Sequence, residues 1–214
     1  MSALSRASLF LVIVVAVAAF MAGVYVAMPT PRAPGTPEIE GLLWPDPPRL
    51  SNFSLRDADG AAFDAGRLDG HWTLLFFGFT HCPDICPGTL ATLKLAHARL
   101  QMQPEFAATG QVVFVSVDPT RDTPATLGPY VRHFNPAFLA ATGTEDALTA
   151  LTRQLGILHA RVQQGGGGYT IDHTASIILI GPQRERLAVF SAPHDPASIA
   201  DRVARIIDFL KEKA

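Results

Sequence analysis

Cys82 and Cys86 are the two cysteines of the chain, set with three residues between them in Phe79-Thr-His-Cys-Pro-Asp-Ile-Cys-Pro87. Thiolate is the form of cysteine that binds metal and attacks disulfides, so a close pair suits metal capture or dithiol–disulfide exchange. A structural disulfide is the weaker explanation, because so small a ring gains little loop-closure entropy. A third donor decides between metal and redox chemistry, and seven histidines are present. His173 is the candidate ligand: it follows the glycine run at 165–168 and comes just before the apolar segment Ile177–Ile180. His97 shares the apolar face of a helix and reads as a core-edge residue. His71, His133, His159 and His194 lie near element ends and read as solvated. His81 adjoins Cys82, but neighbouring side chains of an extended segment point apart.

These residues need elements to position them. Trp72 to Phe79 is nearly continuous apolar sequence, the pattern of a strand buried on both faces. The cysteine loop then joins the carboxyl end of that strand to a helix opened by Pro87 and running to about Met102, with Pro at a favourable first-turn position. Sites in open α/β sheets form at this edge. The partial positive charge of a helix N-terminus favours thiolate over thiol, and Pro83 and Pro87 stiffen the loop.

Around this centre, Phe53 to Phe63 reads as a hairpin turning at Asp57-Ala-Asp-Gly60. Val112–Val117 is a second buried strand. Thr123 caps a helix from Pro124 that Gly128-Pro129 should distort. Phe138–Ala141 is a short strand, and Thr144 caps a helix to about Leu155. Ile157–Val162 is another strand, after which Gly165 to Gly168 break regular structure. Ile177–Ile180 and Leu187–Phe190 pair as a late hairpin. Asp195-Pro196 starts a last helix whose Ile199, Val203, Ile206, Ile207 and Leu210 keep the helical period. The order predicts an α/β class chain with a mixed sheet, helices on both faces and an N-terminal β-hairpin extension, which is compatible with a thioredoxin-like fold. In such a sheet the segment entering Ile177–Ile180 faces the cysteine loop. His173 is thereby aimed at the two sulfurs, on a loop whose glycines allow movement. Thr174 and Ala175 stand where a thioredoxin carries its cis-proline.

Two thiolates and one imidazole form a soft three-donor set that suits copper, its reduced state above all. Zinc wants a fourth ligand, and none is evident nearby. The formal net charge of −2 and the lack of a basic run argue against a nucleic-acid partner. Residues 7–30 carry no charge, enough apolar length for a transmembrane helix. A cleaved signal peptide is the alternative, kept open by the small residues Ala18, Ala19, Ala22 and Gly23. The short tail 1–6 with Arg6 favours a cytoplasmic N-terminus and an exported domain. Residues 31–49 are proline-rich and read as a spacer, leaving 50–214 as the globular domain.

The chain resembles the Sco/SenC family of copper-binding assembly factors for cytochrome c oxidase. The resemblance rests on Gly78-Phe-Thr-His-Cys-Pro-Asp-Ile-Cys-Pro87, Val115-Ser-Val-Asp-Pro-Thr-Arg-Asp-Thr-Pro124, Thr142-Gly-Thr144 and Asp172-His-Thr174. It implies Cu(I) or Cu(II) bound by Cys82, Cys86 and His173. It also implies delivery to, or thiol reduction at, the dinuclear copper site of an oxidase subunit. The setting expected is a single-pass protein of the inner (cytoplasmic) membrane with its soluble domain on the periplasmic side. A periplasmic copper donor and a thiol reductant are further expected partners. The competing function is a thiol-disulfide oxidoreductase using Cys82 and Cys86. A peroxidase of the same fold is disfavoured, because Phe79 stands where its threonine or serine would precede the reactive cysteine. Asp118 and Arg121 read as parts of a capped turn.

Overall fold

Two parallel strands of seven residues form the middle of the sheet: β3 (Trp72–Gly78) and β4 (Gly110–Ser116). Every residue of β3 is buried, so both faces of the sheet are covered there, as the unbroken apolar run requires. On one side of this pair lie β5 (Leu139–Thr142), parallel to β4, then β1 (Ser54–Asp57) and β2 (Ala62–Asp64), both antiparallel to their neighbours. On the other side β8 (Ile177–Ile180) and β9 (Arg186–Phe190) add antiparallel. The order is β2-β1-β5-β4-β3-β8-β9, a mixed sheet as expected. Between the strands run α2 (Ile85–Leu100), α3 (Pro104–Thr109), α4 (Pro124–Phe134) and α5 (Glu145–Leu155). The last element, α6 (Pro196–Lys213), packs against α2.

This computed structural model describes residues 6–27, 39, 41–43 and 45–213. They divide into a unit ending at Thr36 and a unit from Pro37 onward. The first holds α1 (Arg6–Ala27), whose described side chains, Leu9 to Ala22 and Tyr25, are exposed. Among the described residues no helix is long and apolar enough to cross a membrane, so α1 by itself does not establish the transmembrane anchor expected over 7–30.

Local chemistry explains most boundaries. The Thr144 hydroxyl accepts from the Ala147 amide and caps α5, which ends at Gly156 in the left-handed conformation. Pro129 is accommodated inside α4. Helix α2 begins at Ile85, two residues before Pro87. Pro87 still falls in the first turn, where amides have no intrahelical acceptor.

Two expectations change. The glycine run does not end regular structure. It turns a separate two-stranded ribbon, β6 (His159–Gln163) and β7 (Tyr169–His173), paired in register from His159↔His173 to Gln163↔Tyr169. The expected spacer over 31–49 is also partly docked. Leu43 and Leu50 donate backbone hydrogen bonds to Leu187 and Arg184, at 2.7 and 2.9 Å, and Val189 and Arg186 donate to Gly41 and Pro48, at 3.1 and 2.8 Å. Gly41 has φ +83°, and a Cβ there would lie 2.3 Å from the Val189 carbonyl oxygen. Only glycine fits so close an approach in that conformation.

Candidate metal centre

The loop after β3 folds back on the start of α2. The Cys82 amide donates to the Phe79 carbonyl at 3.3 Å, and the Cys86 amide points at Cys82 Sγ, 3.4 Å away. Asp84 sits at the N-cap without capping through its side chain. The Cys82 sulfur therefore takes one of the otherwise unpaired first-turn amides of α2. Both cysteines are free thiols and both are buried, Cys86 completely and Cys82 to 9 % exposure. Gly78 makes room for them: a Cβ at this position would lie 2.7 Å from Cys86 Sγ and 2.8 Å from Phe114 Cε2.

His173 arrives from the base of the β6–β7 ribbon. Its Nε2 lies 3.3 Å from Cys86 Sγ, and Nδ1 lies 3.2 Å from the Thr174 carbonyl oxygen. A carbonyl only accepts, so Nδ1 carries the proton and Nε2 presents its lone pair to the sulfurs. The ring meets Phe76 and Phe79 edge-on, at centroid distances of 6.2 and 5.9 Å. The donor atoms of Cys82, Cys86 and His173 all lie within 4.8 Å of one another. The expected mobile loop is replaced by the end of a paired strand that already holds the ring in place. Burial lowers the pKa of His173, which keeps the imidazole neutral. Burial also raises the pKa of the Cys86 thiol, and the hydrogen bond with Cys82 adds to the rise. For Cys86 desolvation thus outweighs the backbone hydrogen bond with Phe79 that acts the other way, and the thiolate form awaits a cation.

Two buried aspartates hold this arrangement, and their roles were not apparent in the sequence. Asp122 accepts from the Thr80 amide at 2.8 Å, and from the hydroxyls of Thr80 and Ser116. It ties the start of the cysteine loop to the end of β4. Asp118 does close a turn, its carbonyl accepting from the Arg121 and Asp122 amides, but its carboxylate reaches further. It accepts from the Tyr169 hydroxyl at 2.9 Å and pairs with Arg121. The Arg121 guanidinium lies 3.8 Å from the Tyr169 ring centroid and donates to the Tyr169 carbonyl at 3.1 Å. On the other side Arg161 stacks on Tyr169 at 4.2 Å and donates to the Thr120 hydroxyl at 3.0 Å. The Asp-Pro-Thr-Arg-Asp segment is thus a latch on the ribbon that carries His173. The pattern that could have revealed it, Tyr169 four residues before His173, has no signature of its own.

The other histidines fall outside the cluster. His81 is exposed, its Nδ1 3.1 Å from Thr80 Oγ1. His97 is half-buried between Phe106 and Phe138. His194 bonds the Ala175 carbonyl at 2.7 Å. His159 lies opposite His173 on the ribbon.

The family model described as SCO1/SenC matches residues 46–208. A protein of Arabidopsis thaliana, SCO1 homolog 1, mitochondrial, is 34 % identical over 155 residues, covering 72 % of this chain; the match spans 46 % of that relative's length. Among solved structures, Arabidopsis thaliana ScoI with copper bound superposes with a TM-score of 0.69 at 32 % identity, covering 74 % of this chain and 97 % of that one. Bradyrhizobium japonicum ScoI with copper bound gives 0.65 at 32 % identity, covering 73 % and 98 %. The thioredoxin-like arrangement expected from the element order is the fold these structures share.

Proposed function

The chain belongs to the SCO1/SenC family, and on that premise we propose that it binds one copper ion through Cys82, Cys86 and His173 and hands it to the dinuclear copper site of cytochrome c oxidase during assembly. The observation that carries this reading is the convergence of two sulfurs and one imidazole nitrogen within 4.8 Å. The proton on Nδ1 leaves Nε2 free to coordinate. Soft donors select copper over magnesium or calcium, and three of them satisfy copper(I) without the fourth ligand zinc normally takes. The copper held by the two related structures supports the assignment. An ion held by three donors keeps a coordination position at which an acceptor's ligand can begin exchange.

In the same proposal the segment 7–30 anchors the chain in the inner (cytoplasmic) membrane, with the copper domain on the periplasmic side. The support is the uncharged apolar sequence of residues 7–30. The partners are then a copper-accepting oxidase subunit, a periplasmic copper donor and a thiol reductant.

The second reading is thiol-disulfide exchange, favoured by two free thiols whose sulfurs lie within 4.8 Å of each other. Cys82, the less buried sulfur, attacks an oxidised cysteine pair of the oxidase subunit as thiolate. Cys86 then displaces the mixed disulfide, and two electrons and two protons pass to the acceptor cysteines as the Cys82–Cys86 disulfide forms.

The test is anaerobic copper(I) titration of the full chain in detergent, with X-ray absorption at the metal. The expected shell is two sulfurs and one nitrogen. His173→Ala should abolish tight copper binding while leaving disulfide exchange largely intact, and unchanged copper affinity in that variant defeats the carrier reading.

A further inference from the structure

The ribbon places a second imidazole beside the first. His159 and His173 are direct cross-strand partners. The next pair outward, Leu158 and Thr174, is hydrogen-bonded, with the Thr174 amide donating to the Leu158 carbonyl at 2.9 Å. Paired positions alternate along an antiparallel ladder, so His159 and His173 occupy a non-hydrogen-bonded position, where Cα atoms stand about 4.5 Å apart and the side chains are closest. Directly opposed residues also project from the same face. The face that delivers His173 to the sulfurs is therefore the face that carries His159. Both line one cleft with Leu158, Ala160, Asp172 and Thr174. Among the described residues the His159 ring has no hydrogen-bond partner, so its lone pair is uncommitted.

We propose that His159 is a fourth ligand, recruited when the bound ion is copper(II). This rests on the copper reading above. Copper(I) is content with the three soft donors, whereas copper(II) prefers a four-coordinate, tetragonal shell richer in nitrogen. The His159 nitrogens stand outside the three-residue cluster, so joining the ion takes a rotation of a half-exposed side chain, a motion of the ps–ns range. A three-donor site for the reduced ion thereby becomes a four-donor site for the oxidised one without movement of either strand.

The test compares wild type, His159→Ala, His159→Gln and the exposed-histidine control His133→Ala as full chains in detergent. Copper(I) affinity is read by competition with a chromophoric chelator, and copper(II) by electron paramagnetic resonance with nitrogen hyperfine resolution. Both His159 variants should keep copper(I) affinity within twofold of wild type, lose at least tenfold in copper(II) affinity and lose one of two coupled nitrogens. His133→Ala should match wild type. A copper(II) spectrum and affinity unchanged by both His159 variants, with copper(I) binding intact, overturns this inference alone. A wild-type chain that takes up neither ion overturns the carrier reading and the inference with it.

Discussion

Tyr169→Phe removes one oxygen atom and isolates the latch from everything else at the centre. In the wild type the Tyr169 hydroxyl donates at 2.9 Å to a fully buried carboxylate, Asp118. The variant leaves Asp118 paired with Arg121 and keeps the ring between Arg121 and Arg161, so no buried charge is stranded. A hydrogen bond to a charged group contributes about 1.5–3 kcal/mol. At about 1.4 kcal/mol per factor of ten, the ribbon should lift from the 118–122 segment roughly 10- to 140-fold more often. Amide hydrogen exchange on the copper-free protein reads this directly, since exchange through local opening follows the opening equilibrium. The amides of β6 and β7 should exchange faster by that factor. Those of β3 and β4, which do not depend on the latch, should keep their wild-type rates. Equal acceleration in the ribbon and the central strands would mean that Tyr169 stabilises the fold as a whole. No acceleration anywhere would mean that the latch does not hold His173 in place. Either result refutes the reasoning.

Gly78→Ala should cost about 1–3 kcal/mol in denaturant unfolding, because its Cβ would lie 2.7 Å from Cys86 Sγ and 2.8 Å from the Phe114 ring. Copper affinity should fall with it as the sulfur is displaced, and a variant with wild-type stability and affinity would show that the notch is not needed. Burial of His97 lowers its pKa from the ordinary 6.5, so the unfolded chain takes up this proton more readily than the folded one. Its contribution to stability is therefore present above pH 6.5 and lost as pH falls through the lowered folded value. The melting temperature of the copper-free protein should drop on acidification from pH 7 to 5, and His97→Leu should flatten that drop; an unchanged slope would remove His97 as its source.

The chemistry-bearing residues were legible because they are local or sit where the fold demands. The cysteine spacing and the apolar run of β3 are contiguous, and β8 announces itself with four consecutive buried residues, which fixes the approach of His173. The ribbon was half missed: β7 buries only Ile171 fully, so it shows neither an apolar run nor a clean alternation. The roles of Asp118 and Asp122 depend on partners 51 and 42 residues away, and no local pattern encodes such a pairing. The hydrogen bonds that dock residues 41–43 and 48–50 are largely main-chain ones, and every residue type except proline carries those groups in full. The raised pKa of the Cys86 thiol was illegible for another reason: sequence shows a cysteine beside a helix start but not how deeply the fold buries it.

That docked stretch has a consequence for how the protein meets its own kind. Strand β9 ends the sheet, and an uncovered last strand presents a row of unsatisfied amides and carbonyls on which another chain can grow. Here Gly41 to Leu43 and Pro48 to Leu50 already occupy positions along that border. A second copy of the chain thus finds less bare backbone there to zip onto, and encounters between copies are left to side chains.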